Sequence, residues 1–126
     1  MIDKPFWWIL DAERRPRPAA DVMEFERWFT QNLESRRVAA TVVYPDGRTE
    51  ETMPGDDRRD LVWVSTVFLG MDPGLLSTDP PRLFETMIFG LESTDDIILR
   101  SDSWENAEDT HRQAVEWCQA VRRMKE

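Results

Sequence analysis

One uncharged stretch constrains this chain more than any other: Leu61-Val62-Trp63-Val64-Ser65-Thr66-Val67-Phe68-Leu69-Gly70, the longest run without a charge. Its β-branched and aromatic residues suit a pleated sheet. Side chains of an extended segment alternate between two faces. Val62, Val64, Thr66 and Phe68 form one set, and Leu61, Trp63, Ser65, Val67 and Leu69 form the other. Neither set is polar enough to face water, so the stretch predicts a central strand covered on both sides. The cover must come from helices, from the N-terminal Phe6-Trp7-Trp8, or from a second subunit.

The remaining elements arrange themselves around that strand. Residues 5–10 predict a short first strand, and Arg14-Arg15-Pro16-Arg17-Pro18 a solvated connector. A helix is expected over 20–33, with Asp21 as N-cap and Glu24 completing a capping box. Val22, Phe25, Phe29 and Leu33 recur there at helical spacing, beside Trp28. Val38–Tyr44 reads as a strand, Pro45-Asp46-Gly47 as a turn and Arg48–Met53 as a polar return strand. Residues 45–60 form an exposed excursion between core strands, the kind of loop that carries recognition. Arg82–Phe89 and Ile97–Arg100 complete the strands. A last helix starts near Ser103, with Asp102 or Ser103 as cap, and buries Ala107, His111, Ala114, Cys118 and Val121. The expectation is a single α+β domain over 1–126, an antiparallel sheet of about four to five strands with two flanking α-helices.

Charge excludes some functions. The 126 residues carry 25 acidic and 16 basic side chains, a net charge of −9. Nucleic-acid binding rests on Lys and Arg neutralising phosphates, so a direct nucleic-acid partner is not expected. A protein partner with a basic surface is the natural complement. No apolar run approaches the ~20 residues that span a bilayer. Phe6–Leu10 is too short for a signal-peptide core, and the single Cys118 cannot close an internal disulfide, so the expected location is the cytoplasm.

Catalytic and metal-binding patterns are weak. Glu108 and His111 make one Glu-x-x-His unit, whereas di-iron bundles use two with further carboxylates. His111 and Cys118 share a helix face but stand ~10 Å apart along the axis, too far for one ion. No metal or cofactor is expected, and His111 reads as a core or interface residue. Ser65, His111 and Asp72 could supply triad chemistry, but Ser65 lacks the surrounding Gly-x-Ser-x-Gly turn. Cys118 lies in a helix interior, where a thiol is normally inert. Glu85 is the most informative polar residue. It alternates with Leu83, Met87 and Phe89, and a buried carboxylate needs a partner, for which Arg37 and Arg100 are the candidates. Acidic groups gather in the loops and caps: Asp56, Asp57 and Asp60; Asp72 and Asp79; Glu92, Asp95 and Asp96; and Asp102, Glu105, Glu108 and Asp109. Brought onto one face, they would imitate nucleic acid before a basic groove.

The chain resembles a family of small uncharacterised proteins encoded by tailed bacteriophages and prophages. The resemblance is carried by Asp21-Val22-Met23-Glu24-Phe25 with Trp28-Phe29, by Arg36-Arg37-Val38-Ala39 and by Val64–Asp72. It continues through Pro80-Pro81-Arg82-Leu83-Phe84-Glu85-Thr86-Met87-Ile88-Phe89-Gly90, then Ser103–Glu108 with His111 and Ala114-Val115. Relatives tend to carry a histidine after the aspartate, where this chain has Pro73, which lowers an enzymatic expectation. The resemblance implies an accessory protein in a bacterial host cell that binds a protein partner, such as an anti-CRISPR-like inhibitor of a defence nuclease. A small structural homodimer, or an enzyme using Glu85, Asp72 or His111, are the alternatives.

Overall fold

The computed structural model describes residues 5–55, 61–72, 80–91 and 97–124. The uncharged stretch becomes β5 (Val62–Phe68), the middle strand of a five-stranded antiparallel sheet. Its neighbours are β3 (Arg37–Val43) on one side and β6 (Phe84–Phe89) on the other. The short β4 (Thr49–Glu50) and β7 (Ile97–Ser101) form the two edges. A second sheet is the hairpin of β1 (Trp8–Leu10) and β2 (Pro16–Pro18). With two helices, α1 (Val22–Gln31) and α2 (Trp104–Met124), the fold is α+β as expected.

The segment read as a connector at 14–18 is in fact β2, and local chemistry explains how it tolerates two prolines. The Asp11 N–H donates to the Arg15 carbonyl and the Ala19 N–H to the Trp7 carbonyl, each at 2.9 Å. Pro16 and Pro18 fall at the alternate positions, where a nitrogen without a proton points away from β1. The first helix is shorter than its apolar pattern, and Leu33 lies beyond its end, exposed. Its capping box forms: Asp21 Oδ1 accepts from the Glu24 N–H at 2.8 Å, and Glu24 Oε1 accepts from the Ala20 N–H at 3.0 Å. The excursion at 45–60 begins with the expected turn. Gly47 adopts φ +91° and its N–H donates to the Tyr44 carbonyl at 2.9 Å. Its carbonyl accepts from Gln119 Nε2 at 2.8 Å, which ties the turn to α2.

The strands meet helix α2 through one face. Thr41, Val43, Val62, Val64, Thr66, Phe68, Phe84, Thr86 and Ile88 are all buried, and α2 packs across β3, β5, β6 and β7. One cluster of the core joins Val43, Val62, Val64 and Ile88 to Ala114 and Cys118. The other joins Phe68, Leu83 and Phe84 to Leu10, Trp104 and Ala107.

The second face of the central strand is less deeply buried than the first. Trp63, Ser65, Val67, Glu85, Met87 and Phe89 point away from α2 and are half-buried. No described helix or strand packs over them. Trp63 instead stacks on Phe89 from the neighbouring strand, with centroids 4.9 Å apart. Phe6-Trp7-Trp8 covers the end of β5 rather than its second face. The Trp8 N–H donates to the Gly70 carbonyl at 2.7 Å, and the Asp72 N–H to the Phe6 carbonyl at 3.1 Å. Gly70, at φ +77°, permits this closure. A Cβ there would lie 2.8 Å from the Trp8 carbonyl oxygen and collide with the Phe25 ring.

Candidate functional site

Helix α2 carries His111 and borders two grooves. Ser103 caps it: Ser103 Oγ accepts from the Asn106 N–H at 3.1 Å, while Asp102 Oδ1 accepts from Asn106 Nδ2 at 2.7 Å. Three stripes run along the helix at three- and four-residue spacing. Trp104, Ala107, His111, Ala114 and Cys118 are buried. Glu105, Glu108, Arg112 and Glu116 are exposed and charged, and Gln113, Trp117, Ala120 and Met124 are exposed and neutral.

In the buried stripe, His111 is anchored between strands. Its Nε2 lies 2.8 Å from Thr41 Oγ1 and its Nδ1 lies 2.7 Å from Thr66 Oγ1. Thr66 Oγ1 is in turn 2.7 Å from Thr86 Oγ1, its direct cross-strand partner. A neutral imidazole has one donor and one acceptor, and a hydroxyl can play either part, so the ring is satisfied at both nitrogens. Thr66 is fully buried and His111 is 6% exposed. Burial pushes the His111 pKa down from 6.5 to about 4, which keeps the ring neutral. With both nitrogens held, the ring anchors α2 to β3 and β5 and leaves no free base. His111 is the core histidine expected from sequence. Its two threonine partners, and Thr86 bonded behind Thr66, were missed, although Thr66 and Thr86 each interrupt an apolar alternation (Val64-Thr66-Phe68 and Phe84-Thr86-Ile88), and that interruption was the available signal.

The charged stripe borders a groove of about 390 Å³ between α2 and the β3–β4 side of the sheet. Thr41, His111 and Val115 lie in its floor, and Glu51, Glu108, Arg112 and Glu116 stand around it. Arg112 is turned along the helix to Asp109, with which it forms an ion pair. The rim therefore presents carboxylates. On the other side of α2, the neutral stripe borders a groove of about 370 Å³ against β6 and β7, lined by Ile88, Ile97, Leu99, Gln113, Ala114 and Trp117.

The structure separates the groups that catalysis would have to unite. Ser65 points to the face opposite His111, since its neighbour Thr66 bonds the ring. Glu85 also lies on that opposite face, while Asp72 sits past the end of β5 beside Phe6. Glu85 is paired with Arg100 at 3.2 Å. Arg37, the other candidate, is in the same cross-strand row but opposite Val67, with β5 between it and Glu85. Burial pushes the Cys118 thiol up to about 11, as fits an inert core position. No group of three or more His, Cys, Asp or Glu side chains able to hold a metal occurs among the described residues. Among the described residues no helix is long and apolar enough to cross a membrane.

Of the expected acidic contact residues, Asp102 is exposed at the start of α2. Asp72 is 1% exposed, so its carboxylate does not belong to a surface offered to a partner. Asp56, Asp57, Asp60, Asp79, Glu92, Asp95 and Asp96 lie outside the described residues. The acidic rim that the structure shows includes Glu108, one of the acidic residues expected from sequence, together with Glu51 and Glu116, which were not singled out. Comparison of the chain with protein-family models, with curated proteins and with solved structures finds no match.

Proposed function

We propose that this chain is a non-enzymatic binding protein that offers an acidic face to a basic surface on a protein partner. The observation that carries this reading is the groove beside α2, rimmed by Glu51, Glu108 and Glu116, whose one rim cation is turned to Asp109. The net charge of −9 favours encounter with a basic partner. The separation of Ser65, Glu85, Asp72 and His111 counts against the enzymatic alternative. A protein of this charge can compete with phosphates for a nucleic-acid groove, so a host defence nuclease of the CRISPR type is the partner class to test first.

The test measures affinity for purified, guide-loaded CRISPR effectors, with target DNA as competitor. Binding should weaken steeply between about 50 and 200 mM salt, as for a phosphate-binding groove. The double variant Glu108→Lys, Glu116→Lys should bind at least about tenfold more weakly, the scale of lost close charge pairs. Affinity indifferent to both, or the lack of any binding to such effectors, would overturn this assignment.

A further inference from the structure

We infer that the cleft between the β1–β2 hairpin and the end of α1 is a binding site for a small zwitterion of the free α-amino acid type. The cleft has a volume of about 480 Å³. Leu10 and Trp28 line it, and both also pack into the Phe68–Phe84 core. Asp11, Arg14, Asn32 and Ser35 supply its polar groups. An apolar base with a few converging polar groups, in roughly 300–1,000 Å³, is the usual form of a small-molecule site. This cleft holds two opposite charges that do not meet. Asp11 and Arg14 are three residues apart on one turn, yet each is engaged elsewhere. Asp11 Oδ1 accepts from the Glu13 N–H at 2.8 Å and from the Arg15 N–H at 2.9 Å. The Arg15 N–H, with that of Glu13, holds the carboxyl below its ordinary pKa and keeps it ionised. Arg14 adopts φ +63°, the left-handed position at which such hairpin turns favour glycine. Its guanidinium lies over the Trp104 ring, 4.6 Å from the centroid. The strained backbone therefore carries a cation that is fixed by an indole on α2 rather than paired with the nearby carboxylate.

The unused hydrogen-bonding groups of the cleft fit one class of ligand. Asn32 Nδ2 donates to the Trp28 carbonyl at 2.7 Å, which leaves its amide oxygen as an acceptor. Among the described residues that oxygen and Asp11 Oδ2 accept from no side chain or backbone N–H, and the Arg14 guanidinium and Ser35 hydroxyl donate to no acceptor. The guanidinium and hydroxyl suit a carboxylate. The two oxygens suit an ammonium, which the C-terminal end of the α1 dipole also favours. A ligand with one charge answers half of this set, and a zwitterion answers both. The cleft shares no lining residue with the acidic groove, so this inference stands or falls separately from the proposed function.

Amide NMR titration of the full ¹⁵N-labelled chain tests it, with each common amino acid added to about 10 mM, enough to fill a site of millimolar affinity. At least one amino acid should shift the amides of residues 10–15 and 28–35 saturably. Its N-acetyl derivative and its decarboxylated amine each lack one charge and should bind at least about tenfold more weakly, the scale of a lost charge-assisted hydrogen bond. Arg14→Gly removes the guanidinium and relieves the left-handed backbone. It should keep the thermal midpoint within a few degrees of wild type and weaken binding by a similar factor. Asp11→Asn keeps an oxygen for the Glu13 and Arg15 N–H groups and should also weaken binding at least about tenfold. Four results each overturn the inference: no saturable shift with any amino acid, shifts centred outside this cleft, one-charge analogues that bind as tightly as the amino acid, or folded variants with wild-type affinity. The analogue comparison is made on wild type, so it decides the matter even if a variant fails to fold.

Discussion

The two flanks of helix α2 sit on the same sheet, a few ångströms of backbone apart, yet they are opposites. The flank over β3 and β4 is floored by a hydrogen-bonded histidine and rimmed by carboxylates. The flank over β6 and β7 is apolar, neutral and bordered by β7, an edge strand among the described residues. The helix makes both because its stripes at 105–108–112–116 and 113–117–120–124 differ in composition while sharing one buried stripe between them. The difference shows that one amphipathic helix can pack on a sheet and still present two chemically different flanks. Shape alone would not tell the flanks apart, as the grooves are of similar volume. Charge and the state of the adjoining sheet edge do.

The comparison breaks most severely if the floor of the polar flank is removed. Thr66→Val deletes the hydroxyl shared by His111 Nδ1 and Thr86 Oγ1 and strands both groups in the core. A loss of about 3 kcal/mol is expected, from two buried polar groups left unsatisfied. Urea unfolding reads it directly, and a cost below about 1 kcal/mol would show that the network contributes little.

Acid should attack the same place. The folded His111 pKa is about 4 against 6.5 unfolded, so the unfolded chain binds a proton first as pH falls. The associated stability is fully present above about pH 6.5 and is lost progressively down to about pH 4. Allowing for solvent in the adjoining groove, the loss should be about 2 kcal/mol. Wild type and His111→Phe, unfolded in urea at several pH values across that window, separate this effect from the carboxylates. The variant should lack the histidine's share of the slope, and parallel pH profiles for the two proteins would refute it.

A smaller effect is expected on the sheet face away from α2. Glu85→Gln loses the ion pair with Arg100, whose side chain is 38% exposed, and should cost about 0.5–1 kcal/mol. An unchanged midpoint would mean that the pair contributes nothing to stability. The outcome also sharpens the contrast between the flanks, because Arg100 is the one charge on the β7 edge and Glu85 is what holds it.

Local structure was largely legible in the sequence. The central strand, the Asp21–Glu24 cap, the Pro45-Asp46-Gly47 turn and the buried stripe from Ala107 to Cys118 follow from alternation, helical spacing and turn chemistry. The hairpin strand at Pro16–Pro18 was not, because Pro-x-Pro is compatible with a strand only in the register its partner sets. Half of the Glu85 expectation was legible too. An acidic residue in an apolar alternation demands a cation, but only strand order decides that Arg100 is adjacent and Arg37 is one strand too far.

What the sequence determined by itself is the set of elements, their antiparallel succession and an acidic surface, since these depend on neighbours a few residues apart. Tertiary structure alone decided the fate of His111. Its partners Thr41 and Thr66 lie 70 and 45 residues away in the chain, and β3 and β5 had to pair in register before their hydroxyls met one ring. It alone also decided that one flank of α2 would carry carboxylates beside the short polar β4 and the other an apolar stripe beside the longer β7. The helix supplies both stripes, but the rotation that aims each at a particular edge is set by packing against the sheet.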